Sequence, residues 1–199
     1  MLPSSSPKRG LLALALAAAF VPALQAQAPV ARTNDKAAFT VLSIKDGLPN
    51  ASVSGILQDK RGFIWLATQG GLCRYDGSGF KTFENEPFNE NSISGDLVQT
   101  IYLDEADTLW VGTYSGLNRY EPEAERFVHY RYADGDPESL SNDLVITIVR
   151  DARGSLWVGT LNGLSRLDEK TGKFKRYFHD PADPGSIPNN TRSEEHTSE

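Results

Sequence analysis

Histidines and acidic pairs are the first residues of this sequence to test for chemistry of their own. His129 and His179 stand near the ends of two similar segments, but neither has a Ser or Cys nucleophile beside it. The pairing of a nucleophile with its base is therefore missing. No His or Cys spacing suits a metal ion. Asp134-Gly-Asp136 and Asp180-Pro-Ala-Asp183 could approach a cation, yet they fall in equivalent loops, where Asp, Gly and Pro serve turn geometry. The sequence predicts no catalytic residue, no metal and no cofactor. Binding is the better-founded chemistry. Tyr114 can stack on a sugar ring or another flat group, while Gln69, Asn162, Asn50, Asp96 and Asp143 offer amides and carboxylates to hydroxyls. That set predicts a small-molecule or carbohydrate ligand.

Six such residues need a scaffold, and an internal repeat supplies one. Leu97 to Asp104, Leu109-Trp-Val-Gly-Thr113 and Gly116-Leu-Asn-Arg119 return 47 residues later as Leu144 to Asp151, Leu156-Trp-Val-Gly-Thr160 and Gly163-Leu-Ser-Arg166. Of the 23 positions from Leu97 to Arg119, 13 are identical in the two copies, too many for chance. A looser copy runs through Val53 to Asp59, Ile64-Trp-Leu-Ala-Thr68 and Gly71-Leu-Cys-Arg74. Each copy resolves into four short strands separated by turn signals. In the third they are expected at about Leu144 to Arg150, Ser155 to Gly159, Gly163 to Asp168 and Phe174 to Phe178. Four strands per repeat of this length make the blade of a β-propeller, so the predicted fold class is all-β, with three four-stranded blades of an incomplete propeller.

The repeated residues then acquire physical roles. Trp65, Trp110 and Trp157 are expected to fill the space between blades. Gly71, Gly116 and Gly163 permit the turn from the second strand into the third, and Asp59, Asp104 and Asp151 cap the turn leaving the first. In a propeller, the loops entering the innermost strand and those joining the second and third strands share one face. That places Gln69, Tyr114 and Asn162 near one rim with Asn50, Asp96 and Asp143.

Composition narrows the partners. Residues 29–191 hold 17 basic and 23 acidic groups, with the basic ones scattered singly, so nothing predicts nucleic acid. The lone Cys73 reads as a small apolar filler. Lys8 and Arg9, the apolar run Leu11 to Val21 and Ala26-Gln27-Ala28 read as a signal peptide cleaved after Ala28, which predicts export. At the other end, Ile187-Pro-Asn-Asn190 matches Leu140-Ser-Asn-Asp143, but Arg192 to Glu199 puts charges where a buried strand should follow. That last segment, with His196, resembles the in-frame translation of a common sequencing adapter. The expected organisation is a signal peptide at 1–28, a lead-in segment at 29–47, repeats at 48–92, 93–139 and 140–186, the start of a fourth at 187–191, and the adapter-like scar at 192–199. Three blades fall short of the four to eight that close a ring, which predicts a longer protein or an associating one.

Phe39-Thr-Val-Leu-Ser-Ile-Lys-Asp-Gly-Leu-Pro-Asn50, Gly62-Phe-Ile-Trp-Leu-Ala-Thr68, Gly71-Leu-Cys-Arg-Tyr-Asp-Gly77 and the Leu156 to Arg166 stretch resemble the two-component regulator propeller family. Ala67 and Cys73 stand where that family usually has Gly and Asn. The resemblance implies the periplasmic sensor region of a hybrid histidine kinase or a membrane diguanylate cyclase. It also implies two many-bladed propellers, a β-sandwich, one downstream membrane span of an inner-membrane protein, and a homodimer at full length. Alternatives are an exported structural or protein-binding propeller, or a propeller enzyme. Sialidase-like repeats need Asp-x-Gly-x-x-Trp, whereas Asp151-Ala-Arg-Gly-Ser-Leu-Trp157 has one residue too many, and the quinoprotein-like Thr171-Gly-Lys173 occurs in one repeat alone.

Overall fold

The computed structural model describes residues 40–191. The expected signal peptide, the start of the lead-in segment and the adapter-like segment with His196 lie outside the described residues. Each repeat forms one four-stranded antiparallel sheet whose strands follow chain order. Blade 1 comprises β1 (Val53–Gln58), β2 (Ile64–Thr68), β3 (Gly71–Tyr75) and β4 (Phe80–Phe83). Blade 2 comprises β5 (Val98–Leu103), β6 (Leu109–Thr113), β7 (Gly116–Glu121) and β8 (Arg126–Tyr130). Blade 3 comprises β9 (Val145–Arg150), β10 (Leu156–Thr160), β11 (Leu164–Asp168) and β12 (Lys173–Tyr177). The strands of blade 3 begin and end within one residue of their expected positions. The fold is all-β, built of propeller blades.

The blades stack through their first two strands, β1 and β2 against β5, then β5 and β6 against β9. Each blade thus has a trailing face, which meets the next blade, and a leading face, which meets the one before. Strand alternation assigns residues to these faces. Trp65 and Leu72 of blade 1 pack against Val98, Leu109 and Val111 of blade 2 in one core, and Trp110 and Leu117 pack against Val145, Leu156 and Val158 in the next. Because both faces are covered, β6 is buried at all five positions. Trp65 is 1% exposed and Trp110 0%, whereas Trp157, which no further sheet covers among the described residues, is half-buried.

Side-chain size is traded across the first two strands of each blade. Thr100 pairs with Gly112 and Thr147 with Gly159, but in blade 1 it is Gly55 that pairs with Ala67. A Cβ on Gly159 would lie 2.7 Å from the Thr147 methyl, closer than packed carbons allow. Ala67 is tolerated because its partner has given up its own side chain. Gly159→Ala should therefore cost about 2 kcal/mol by overpacking. Adding Thr147→Gly should recover part of that loss, whereas Thr147→Gly alone should destabilise. Urea midpoints of the four chains test this, and additive losses would contradict it.

The capping aspartates do more than turn the chain. In all three repeats one carboxylate oxygen accepts the N–H groups two and four residues on, such as Arg153 and Ser155 for Asp151, each at 2.9 Å. The other oxygen accepts the indole N–H of the repeat's tryptophan, at 2.9 Å for Asp59–Trp65, 3.4 Å for Asp104–Trp110 and 2.8 Å for Asp151–Trp157. The middle bond is longest because Asp104 also receives Arg150 of blade 3 at 2.8 Å. Burial pushes the Asp104 carboxyl up, but the Thr108 N–H, the Trp110 indole and Arg150 outweigh it and leave it below its ordinary range. The Trp157 indole is the main cause of the lowered Asp151.

Both histidines bond to connecting segments, His129 from within an outer strand and His179 from an exposed position just past one. His129, on β8, is half-buried and donates from Nε2 to the Ser92 carbonyl at 2.6 Å, tying the outer strand to the connection from blade 1. His179 bonds through Nδ1 to the Ile187 carbonyl at 2.8 Å.

Candidate ligand-binding rim

The turns joining second and third strands are built alike. The closing threonine of the second strand, Thr68, Thr113 or Thr160, accepts the N–H two residues on and donates its hydroxyl to the carbonyl of Gly71, Gly116 or Gly163. Those glycines have φ of 112°, 122° and 98°. The position is closed to side chains as well, since a Cβ on Gly71 or Gly116 would lie 2.7 Å from the carbonyl oxygen of Phe83 or Tyr130.

Each turn is then latched to the segment entering the next blade. The Gly71, Gly116 and Gly163 N–H groups donate to the carbonyls of Asp96, Asp143 and Asn190, each at 2.8 Å. The side chains of the same three residues accept the N–H groups of Asn85, Tyr132 and His179, just beyond the outer strands. One residue thus holds a blade's rim turn and outer strand to the next blade.

This construction brings the six binding candidates to one rim. Asn50 lies beside the turn of Gln69, where a Cβ on Gly70 would sit 3.3 Å from the Asn50 Cβ, and Asp96 latches that turn. Tyr114 donates its N–H to the Leu97 carbonyl, and Asp143 latches its turn. Asn162 lies in the turn latched by Asn190. Within the rim, however, the repeat equates different residues than residue type suggested. Gln69, Tyr114 and Leu161 are equivalent, each following the closing threonine, while Asn162 takes the place of Gly70 and Ser115. Asn50 corresponds to Asn142 and Asn189, and all three accept the N–H two residues ahead at 2.8 to 2.9 Å.

Asp96 and Asp143 each commit one carboxylate oxygen to a latch, and Asn50 commits its carbonyl to a turn. The side chains of Gln69, Tyr114 and Asn162 make no hydrogen bond among the described residues and are exposed, Tyr114 at 47%. Residue type alone missed the apolar members of the rim. Leu97 is 43% exposed and Leu161 46%, so exposed apolar groups alternate with free amides and carboxylate oxygens.

Beneath the rim lies a buried polar network. Ser94 donates its N–H to Asn118 Oδ1 at 2.8 Å and bonds through its hydroxyl to Thr113, and Ser141 repeats this with Ser165 and Thr160. In blade 1 the place of Ser94 is taken by Pro49, which has no N–H, and the place of Asn118 by Cys73. With no buried donor to satisfy, an apolar residue fits. Cys73 is fully buried, and burial raises its thiol pKa, consistent with a filler.

The loop aspartates are also engaged in turns. Asp136 and Asp180 each accept the N–H two residues on at 2.9 Å, and Asp183 does so at 2.8 Å. No cluster of three metal-ligating side chains occurs among the described residues.

Comparison with known proteins gives one family. Residues 47–70, 92–115 and 139–162 match the two-component regulator propeller family, each match running from the segment entering a blade to the rim turn. The extracellular domain of the BT3049 hybrid two-component system of B. thetaiotaomicron superposes with a TM-score of 0.68 at 34% identity, over 76% of this chain and 21% of that one. The extracellular domain of the BT4673 one-component system of the same organism gives 0.59 at 25% identity, over 74% and 19%. Histidine kinase P4 of Formosa agariphila is 47% identical over 49 residues, 25% of this chain and 4% of the kinase. The chain spans about a fifth of the length of the two solved domains.

Proposed function

We propose, from a chain that carries three two-component regulator propeller repeats, that residues 40–191 are part of a ligand-sensing, extracytoplasmic propeller of a bacterial signalling protein. The observation that carries this reading is the rim. Exposed Tyr114, Leu97 and Leu161 alternate there with uncommitted groups of Gln69, Asn162, Asp96 and Asp143, on turns held rigid by the latches. An aromatic and apolar surface among hydrogen-bonding groups suits a carbohydrate, whose ring has an apolar face and a hydroxyl edge. Ligand binding would bias the orientation of packed sensor domains in a periplasmic dimer. A membrane helix would pass that bias to a histidine kinase or diguanylate cyclase module. The shift is bounded by the ligand's differential affinity for the two states.

Binding of a panel of soluble oligosaccharides, followed by tryptophan fluorescence and calorimetry, tests the site. Tyr114→Ala should weaken the best binder about tenfold, the stacking contribution of one aromatic ring. Phe88→Ala, at a fully exposed position outside this residue set, should leave it unchanged. Equal affinity in the Tyr114→Ala chain would overturn the site.

A further inference from the structure

The latch shows which charges of the rim the fold itself does not use. Asp96, Asp143 and Asn190 hold equivalent places and do the same two jobs. The backbone carbonyl of each accepts the N–H of Gly71, Gly116 or Gly163, and one side-chain oxygen accepts the N–H of Asn85, Tyr132 or His179. Asn190 does both with a neutral amide, so the latch needs an oxygen and not a charge. The charges of Asp96 and Asp143 are therefore surplus to folding. Among the described residues, their second carboxylate oxygens make no hydrogen bond and neither residue forms an ion pair.

Nothing of opposite sign stands beside them in the rim. The rim turns, residues 69–70, 114–115 and 161–162, and the segments that follow the connecting loops, 49–52, 94–97, 141–144 and 188–190, contain these two aspartates and no Lys or Arg. At the outer edge of the rim Glu84 flanks Gly71 as Arg131 flanks Gly116, and those two charges offset each other. Exposed Asp96 and half-buried Asp143 thus leave an uncompensated negative charge among the amides of Gln69 and Asn162 and the ring of Tyr114.

We infer that Asp96 and Asp143 set the charge selectivity of the rim: its ligand is a carbohydrate without anionic groups, and a sugar that carries uronate or sulfate is repelled. A hydroxyl donates its proton to the free carboxylate oxygens, whereas a sugar carboxylate has none to give and meets a like charge. The inference rests on the sugar-binding reading of the rim and adds to it the class of sugar.

Calorimetry on the 199-residue chain tests this with uronic-acid oligomers of the gluco, galacto and manno series, each beside its carboxyl-reduced, neutral counterpart. At least one neutral oligomer should bind, and its acidic counterpart should bind about tenfold more weakly at low salt, with the difference shrinking as salt is added. Asp96→Asn combined with Asp143→Asn should bring the two to within about threefold of each other. The urea midpoint of that double variant should equal that of wild type, because an amide already serves the latch at Asn190. An acidic oligomer bound as tightly as its neutral counterpart, discrimination that survives in the double variant, or a double variant that unfolds at lower urea would each overturn the charge assignment and leave the sugar reading standing. If no oligomer of either kind bound, the sugar reading would fall and this inference with it.

Discussion

Trp110→Ala should cost the chain about 4 kcal/mol, enough to consume much of the stability of a domain this size. The residue is 0% exposed and stands in the core between blades 2 and 3, against Tyr130 and the leading face of blade 3. Its removal leaves a cavity where a whole indole separated two sheets, and both sheets are held in register by their own ladders, so collapse can recover little. The loss also leaves Asp104 without its indole donor, although Arg150 still reaches that carboxylate. Trp157→Ala removes the same side chain from the same place in the repeat. Because Trp157 is half-buried, its loss should cost less than half as much. Urea unfolding at concentrations where the chain is monomeric provides the comparison. Equal losses at the two positions would mean that the tryptophans act within their own blades and not between them.

Gly116→Ala should be the second severe change, at about 3 kcal/mol. Two costs combine at this position. Its φ of 122° is one that a residue with a side chain adopts only under strain, and the added Cβ would lie 2.7 Å from the Tyr130 carbonyl oxygen, a backbone atom that cannot rotate away. Relief of that contact would pull the turn from its latch on the Asp143 carbonyl and loosen the Tyr114 loop with it. Gly135→Ala separates the two costs. Gly135 has a φ of 77° but nothing within 4 Å of its Cβ direction, so it carries the conformational strain alone, about 1 kcal/mol. If both substitutions cost the same in thermal or urea unfolding, the rim is not packed as described.

The blade was legible in the sequence because its determinants are local or periodic. The Leu-Trp-Val-Gly-Thr run, the turn glycines and the capping aspartates recur at a fixed spacing, and each acts within a few residues of itself. The rim was legible as a place but not in its details. Residue type grouped Asn50 with Asp96 and Asp143, whereas the repeat equates Asn50 with Asn142. The latch role of Asp143 depends on Gly116 and Tyr132, which a linear reading does not bring beside it.

Leu97 and Leu161 were passed over for the same reason, since their exposure follows from the bends at the rim and not from their type. Ala67 and Cys73 looked like small departures from the family pattern. Each is one half of an exchange with a distant partner, Gly55 across a strand pair and Pro49 at the start of the blade, and only the strand register reveals the other half.

The central claim, that these blades belong to an extracytoplasmic sensor coupled to a signalling module, is tested most directly by sequencing the gene across codon 191 and following the reading frame to its natural stop. The account predicts the first strand of a fourth blade, resembling Leu144 to Val149, directly after Asn190, further Leu-Trp-Val-Gly-Thr-like blades, then a membrane span and a kinase or cyclase. A frame that closes its blades and stops with no span or signalling module would contradict it.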